Sequence, residues 1–305
     1  MKFAIYNSML EKSASNIRHP EYTKWLIKKK IADKIISGFL PMDCNSEFLQ
    51  FYPDWIESSK NNAFVGCKTF PNRYVSVGVT QAIDDWTLFC LKNNLRLRIF
   101  RGEYPYSKEF NNWCWIEDEP LTVGDAVLIS FPFSGSGNKH PQYDWLINIC
   151  NNLQLPVFVD CAFFGACSDL EVNVNQPCID TVAFSLTKGL ATNDYRSGIV
   201  FSKRHKQDTT LDVQNIWQNS VHLNVAMGLQ LMKQFGPDTL VEVYKEKQIS
   251  VCKSLGLEPS NTIHLATGDE KWNDYSRDGV YNRVNIRNML GQQNLYSMPK
   301  NDHNP

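Results

Sequence analysis

Between residues 73 and 202 the chain repeats one pattern, a short continuous apolar run followed by a connecting segment, often of helical character. The runs are RYVSVGV (73–79), LRLRIF (95–100), AVLISFPF (126–133), PVFVDC (156–161), TVAFSL (181–186) and GIVFS (198–202), with WCWI (113–116) as a shorter one. Helical spacing fills TQAIDDWTLFCLKNN (80–94) and PQYDWLINICNNL (141–153). Several runs are apolar at consecutive positions, as expected of strands covered on both faces. Strands joined by helices predict an α/β sheet. From about residue 211 the pattern turns helical, and TIHLAT (262–267) and RVNIRNM (283–289) read as two further strands. The predicted organisation is an N-terminal helical segment (1–45), a large domain (46–205), and an inter-domain helix with a smaller α+β domain (206–305).

The rest of the composition narrows the class. Net charge is −1, so no basic field points to nucleic acid or an anionic membrane. Lys28-Lys29-Lys30 lies in a helical stretch with Trp25, Leu26, Ile31, Ile35 and Ile36, and reads as its wet face. The nine cysteines are odd in number and form no CxxC pair, which suits buried free thiols in a reducing compartment. No run approaches the roughly 20 apolar residues of a membrane span, and MKFAIYNSML is too short for a signal peptide. The expectation is a soluble cytoplasmic protein with no metal site.

Ligands of open α/β sheets bind at the carboxyl ends of the strands. Here those ends carry Gly78-Val79-Thr80, Ser134-Gly135-Ser136-Gly137, Asp160, Ser185 with Lys188, and Arg196. An acid, a lysine, an arginine, hydroxyls and glycines are thereby directed to one crevice.

With these residues in view, VDCAFFG, SLTKGLATNDYRSG and RVNIRNML together resemble the fold type I pyridoxal-5'-phosphate enzymes, class I/II aminotransferases in particular. FYPDW (51–55), VGVTQAI (77–83), GEYPYS (102–107) and FSGSG (133–137) follow in the matching order. The resemblance implies a mostly parallel seven-stranded sheet sandwiched by helices, pyridoxal 5'-phosphate as cofactor, and a homodimer acting on an amino acid and a 2-oxo acid. Lys188 would form a Schiff base with the cofactor, and Asp160 would face its ring nitrogen. Val79, Thr80, Ser185 and Arg196 would hold its phosphate. Tyr104 would stack on the ring, Tyr52 would reach the partner subunit's phosphate, and Arg283 would clamp the substrate carboxylate, with Arg287 as local competitor.

The residue types suit those roles. A helix N-terminus at Thr80 offers free N–H groups and a positive dipole end to a dianion. A carboxylate such as Asp160 keeps a ring nitrogen protonated, so that the ring accepts electrons. The amine of Lys188 can serve as nucleophile and proton carrier. If 283–289 is a strand, Arg283, Asn285 and Arg287 share one face. Two positions depart from the family pattern: Phe163 stands where tyrosine is usual, and Ser134 where asparagine is usual. Fewer hydrogen bonds then reach the cofactor's 3'-oxygen, and the imine is expected to hold its proton to higher pH. A lyase or decarboxylase of the same fold, or a catalytically weak binding protein, are the alternatives. GSG at 135–137 is no dinucleotide fingerprint. His264, Trp272, Tyr275 and Arg277 are candidates for the pocket wall, with packing or surface roles the more ordinary reading.

Overall fold

The computed structural model describes residues 9–17, 19–110, 112–204, 209–217 and 221–291. Its centre is a seven-stranded sheet. In chain order its strands are β2 (Asn72–Ser76), β3 (Arg96–Ile99), β4 (Trp113–Trp115), β5 (Asp125–Ser130), β6 (Val157–Cys161), β8 (Ile179–Ser185) and β9 (Gly198–Ser202). They lie in the order β2-β9-β8-β6-β5-β3-β4. From β8 to β4 all pairings are parallel, whereas β9 runs antiparallel to both β8 and β2. The apolar runs imply an α/β sheet and the resemblance a mostly parallel one of seven strands, and the structure has both.

Both faces are covered. On one side, helix α4 (Val79–Lys92) sets Ala82, Ile83, Trp86 and Cys90 against Leu97, Ile99, Ala126, Leu128 and Phe158. On the other, helix α3 (Asn45–Glu57) brings Phe48, Tyr52 and Ile56 into a cluster with Val127, Ile129, Val159, Val182 and Phe184. Neighbours in β5 alternate between these two cores, as a pleated strand requires. That is why the run reads as continuously apolar.

The remaining strands form smaller sheets. β1 (Asn62–Val65) pairs in parallel with β7 (Leu170–Asn173), a ladder without a strong signal in the sequence. β10 (Glu258–Pro259), β11 (Leu265–Gly268), β12 (Ser276–Arg277) and β13 (Tyr281–Asn285) make an antiparallel sheet in the order β10-β11-β13-β12. Helices at Thr210–Ile216, His222–Gln234 and Thr239–Leu255 precede it.

Three boundaries differ from expectation. The first central strand stops at Ser76, because Gly78 adopts φ +106° to turn the chain into α4. The stretch around Lys28–Lys30 is two helices, α1 (Pro20–Lys28) and α2 (Ile31–Ile36), broken where Lys30 takes φ 51°, with all three lysines exposed. The segment 283–289 is not one strand: β13 ends at Asn285 and a helical turn starts at Arg287. Arg287 therefore does not continue the Arg283–Asn285 face. All nine cysteines are free, and eight are buried. Among the described residues no helix is long and apolar enough to cross a membrane, and no group of three or more His, Cys, Asp or Glu could hold a metal.

Candidate functional site

At the carboxyl edge of β5, β6 and β8 lies a cavity of about 230 Å³. Nine of the eleven residues singled out from the sequence line it: Val79, Thr80, Tyr104, Ser134, Asp160, Phe163, Ser185, Lys188 and Arg196. The sheet explains the convergence. Asp160 is next to last in β6 and pairs with Ala183 of β8, so the end of β8 stands beside it. Ser185 closes β8 and caps the helical turn Leu186–Gly189, its Oγ accepting from the Thr187 N–H at 3.2 Å. Three residues past the cap, Lys188 is carried about one turn up from the sheet edge.

The α4 end of the cavity is a cradle for an anion. The Arg196 guanidinium donates to Thr80 Oγ1 at 3.2 Å. A methyl group at Gly78 would stand 3.2 Å from Arg196 Nη2 and 3.2 Å from Ser185 Oγ. Glycine thus lets the backbone approach both groups at a helix N-terminus, where N–H groups lack intrahelical partners.

The other end is acidic and buried. Asp160 is buried, and burial pushes its carboxyl up to about 7 against a backbone bond from Ala162 N–H at 2.7 Å. The buried carboxyl of Glu103, raised by burial, pushes Asp160 in the same direction. Glu103 accepts from the backbone N–H groups of Ser130 and Tyr104 at 2.8 and 2.7 Å. The charge of Lys188 offsets this only in part, and a protonated ring nitrogen would supply a further cation. Burial, then the charges of Arg283 and Arg196, lowers Lys188 to about 8. A far larger share of its amine is therefore uncharged near neutral pH than in an ordinary lysine. The residues present therefore fit pyridoxal phosphate at both ends, phosphate and ring nitrogen.

Two candidates lie elsewhere. Tyr52 is fully buried in the core, edge-on to Phe48 and Trp55 at 5.3 and 5.7 Å, and its hydroxyl has no partner. A side chain enclosed by its own chain does not cross to a second subunit, so that expectation is withdrawn. Arg283 is also fully buried, and it does not line the cavity. Its guanidinium donates to the carbonyls of Ser134 and Lys12, the latter at 2.8 Å.

That last contact belongs to a strap, residues 10–17, that the sequence did not flag. Its consecutive carbonyls are taken up by side chains around the site. Asn285 donates to Ser13 and Ser15 at 2.9 and 2.8 Å, and Lys188 Nζ donates to Ala14. Arg287 bonds the Glu11 carboxylate at 2.8 Å and the Asn16 carbonyl at 3.5 Å. Glu11 also exchanges backbone bonds with Asn285, extending the edge of β13. KSASN has no periodicity or motif, so nothing local marked it. Glu103, inside the recognised GEYPYS, was passed over for its tyrosine neighbour. A larger groove of about 850 Å³ borders the strap at Leu10 and Lys12, but its charged residues Lys12, Lys271 and Asp274 are not among the residues at the strand ends, and the convergent chemistry lies in the smaller cavity.

Comparison with known proteins gives a divided result. No family model matches the sequence, and no curated protein matches it. Solved structures do. An aromatic aminotransferase from Pyrococcus horikoshii superposes with a TM-score of 0.64 at 12% identity, covering 90% of this chain and 89% of that one. A tyrosine aminotransferase from Leishmania infantum gives 0.61 at 13%, covering 90% and 88%. The chain has the fold of the fold type I pyridoxal-phosphate enzymes. A PLP-bound C-S lyase from Staphylococcus hominis scores 0.62 at 13%, covering 93% and 88%, so this fold is shared by transferases and lyases alike.

Proposed function

We propose that this chain is a pyridoxal-phosphate-dependent aminotransferase that moves an amino group between an amino acid and a 2-oxo acid. The observation that carries the reading is the meeting of Lys188 and Asp160 in one cavity with an anion cradle at its α4 end. Bound there, the cofactor supplies an aldehyde for amines and a cationic ring that withdraws electrons from the substrate's Cα. The chain's residues do the rest. Thr80, Ser185, Arg196 and the N–H groups opening α4 hold the phosphate. Asp160 holds the ring-nitrogen proton. Lys188 would hold the cofactor through its Nζ, and its free amine would take the proton from the substrate's Cα. Tyr104 and Phe163 wall the ring and limit water. Phe163 offers no hydrogen bond to the 3'-oxygen, which leaves Ser134 as the remaining donor of the pair.

Arg283 is assigned to the substrate carboxylate, which requires the strap to yield. The Lys12 carbonyl and a substrate carboxylate compete for one guanidinium, and the charged acceptor makes the stronger bond. The cavity's 230 Å³ also falls below the roughly 300–1,000 Å³ of ligand pockets, so substrate needs the strap's volume. The unpaired thiols suit a reducing compartment such as the cytoplasm.

The test is direct. Protein loaded with pyridoxal phosphate should be yellow, and borohydride should fix the cofactor on Lys188. Lys188→Ala should lose at least about 10³-fold in amine-dependent turnover. Failure to form a reducible adduct would sink the reading. The C-S lyase likeness supports one competitor, elimination. Ammonia and an oxo acid released without an acceptor would favour it, whereas pyridoxamine phosphate accumulation identifies transamination.

A further inference from the structure

One buried residue beside the site has no assigned role. His264 is fully buried, and neither ring nitrogen has a hydrogen-bond partner. Its ring lies edge-on to Phe163 with centroids 5.8 Å apart, and Lys188 Nζ is 6.0 Å from the centre of that same Phe163 ring. His264 is thus one side chain removed from the amine. Arg283, whose charge also acts on His264, carries a second orphan: its Nε–H is buried without an acceptor. Other buried polar atoms in the structure also lack partners, Trp86 Nε1 and Trp272 Nε1 among them, but these two residues stand beside the site, where a ligand's polar atom can complete the set.

We propose that His264 is a specificity-determining residue that hydrogen-bonds an oxygen on the β- or γ-carbon of the substrate's side chain. This rests on the aminotransferase reading, because it takes the substrate to be an amino acid joined to the cofactor at Lys188. Burial, then the charges of Lys188, Arg283 and Arg287, keeps the imidazole far below its usual pKa. It is therefore neutral, with one N–H donor and one acceptor nitrogen. Three cations around it make the local field positive and favour an electronegative partner. The strap residues Lys12–Asn16 accept from Arg283, Asn285 and Lys188, and His264 lies against Phe163 outside the cavity's present lining, so a substrate reaches it by displacing the strap and passing the Phe163 ring. A purely apolar side chain there would leave both nitrogens unsatisfied, and sites with buried polar groups reject analogues that lack the matching group.

The experiment uses the cofactor-loaded protein and three amino acids that bind without turnover because their Cα bears no hydrogen: 2-aminoisobutyrate, α-methylserine and α-methylaspartate. Binding is read from the shift in cofactor absorbance. We expect at least one oxygen-bearing probe to bind roughly 10-fold or more tighter than 2-aminoisobutyrate. In His264→Phe, similar in shape but without nitrogen, that preference should fall below about threefold, and His264→Gln should restore part of it. The native protein alone can overturn the proposal, by showing no preference for either oxygen-bearing probe. Persistence of the preference in His264→Phe, with circular dichroism matching the native protein, overturns it equally. Absence of a reducible adduct at Lys188 removes both this proposal and the function on which it rests, whereas an adduct without discrimination removes this one alone.

Discussion

Asp160 carries a cost that only a cation removes. Its carboxyl titrates near 7 in the folded chain and near 3.9 when unfolded. Between those values the unfolded state binds fewer protons than the folded one, so stability falls as pH rises, and the full cost is present above about pH 7. Without cofactor, the native protein should therefore lose more thermal stability between pH 5 and 7.5 than Asp160→Asn does. The difference should be of the order of a few kcal/mol at most. Lys188, lowered to about 8 from 10.5, acts in the opposite sense and in a different window, restoring stability as pH climbs above 8. The two therefore separate in a melting series with pH. Pyridoxal phosphate should flatten the acid-side slope of the native protein and leave that of Asp160→Asn nearly unchanged. Equal slopes for the two cofactor-free proteins would remove Asp160 as the strained group. These two residues were legible from sequence because each sits at a strand's end, and adjacent parallel strands bring their ends together. Tyr52 was not: a tyrosine in an amphipathic helix reads the same whether it faces a partner or its own core.

At the scale of elements, the central sheet was readable and the strap was not. Strands announce themselves because burial on both faces demands consecutive apolar residues. Leu10–Ile17 is held by its carbonyls, and every residue type carries a carbonyl. The same blindness hid Arg287: the Asn285 side-chain oxygen accepts the Arg287 N–H at 2.9 Å, which ends β13 and begins the helical turn. The strap's bonds tie it to the state of Lys188. An amine committed to the cofactor no longer donates freely to Ala14, and the strap loses one of its anchors. Backbone amides in 12–16 should then exchange at least about threefold faster in borohydride-reduced holoprotein than in cofactor-free protein. Adding a substrate carboxylate that takes Arg283 from Lys12 should speed exchange further. Unchanged exchange on loading would mean that the strap does not register the amine.

At the scale of the whole molecule, eight of the seventeen large apolar side chains exposed among the described residues lie in two stretches of the chain, 27–42 and 213–221. Ile27, Ile36 and Phe39 are 71%, 67% and 76% exposed, and Ile216 and Trp217 are 67% and 72% exposed. Single exposed apolar residues are ordinary, and these two segments stand out by holding several large ones close together in sequence. Phe39 stands at a turn beside Gly38, which holds φ +76°, so the ring is presented by the backbone rather than tucked under it. We propose that these segments meet a second copy of the chain, in a homodimer formed without Tyr52. A stable dimer of this kind buries roughly 1,200–2,000 Å² or more, and two charges placed at its apolar centre would be desolvated without partners. Sedimentation should therefore give a dimer for the native protein. The double variant Ile36→Asp, Phe39→Asp should sediment as a monomer with its melting temperature in the cofactor-free state shifted only by the loss of association, since both side chains are exposed in the folded chain. A native protein that sediments as a monomer at micromolar concentration, or a double variant that remains dimeric, would place the interface elsewhere or remove it.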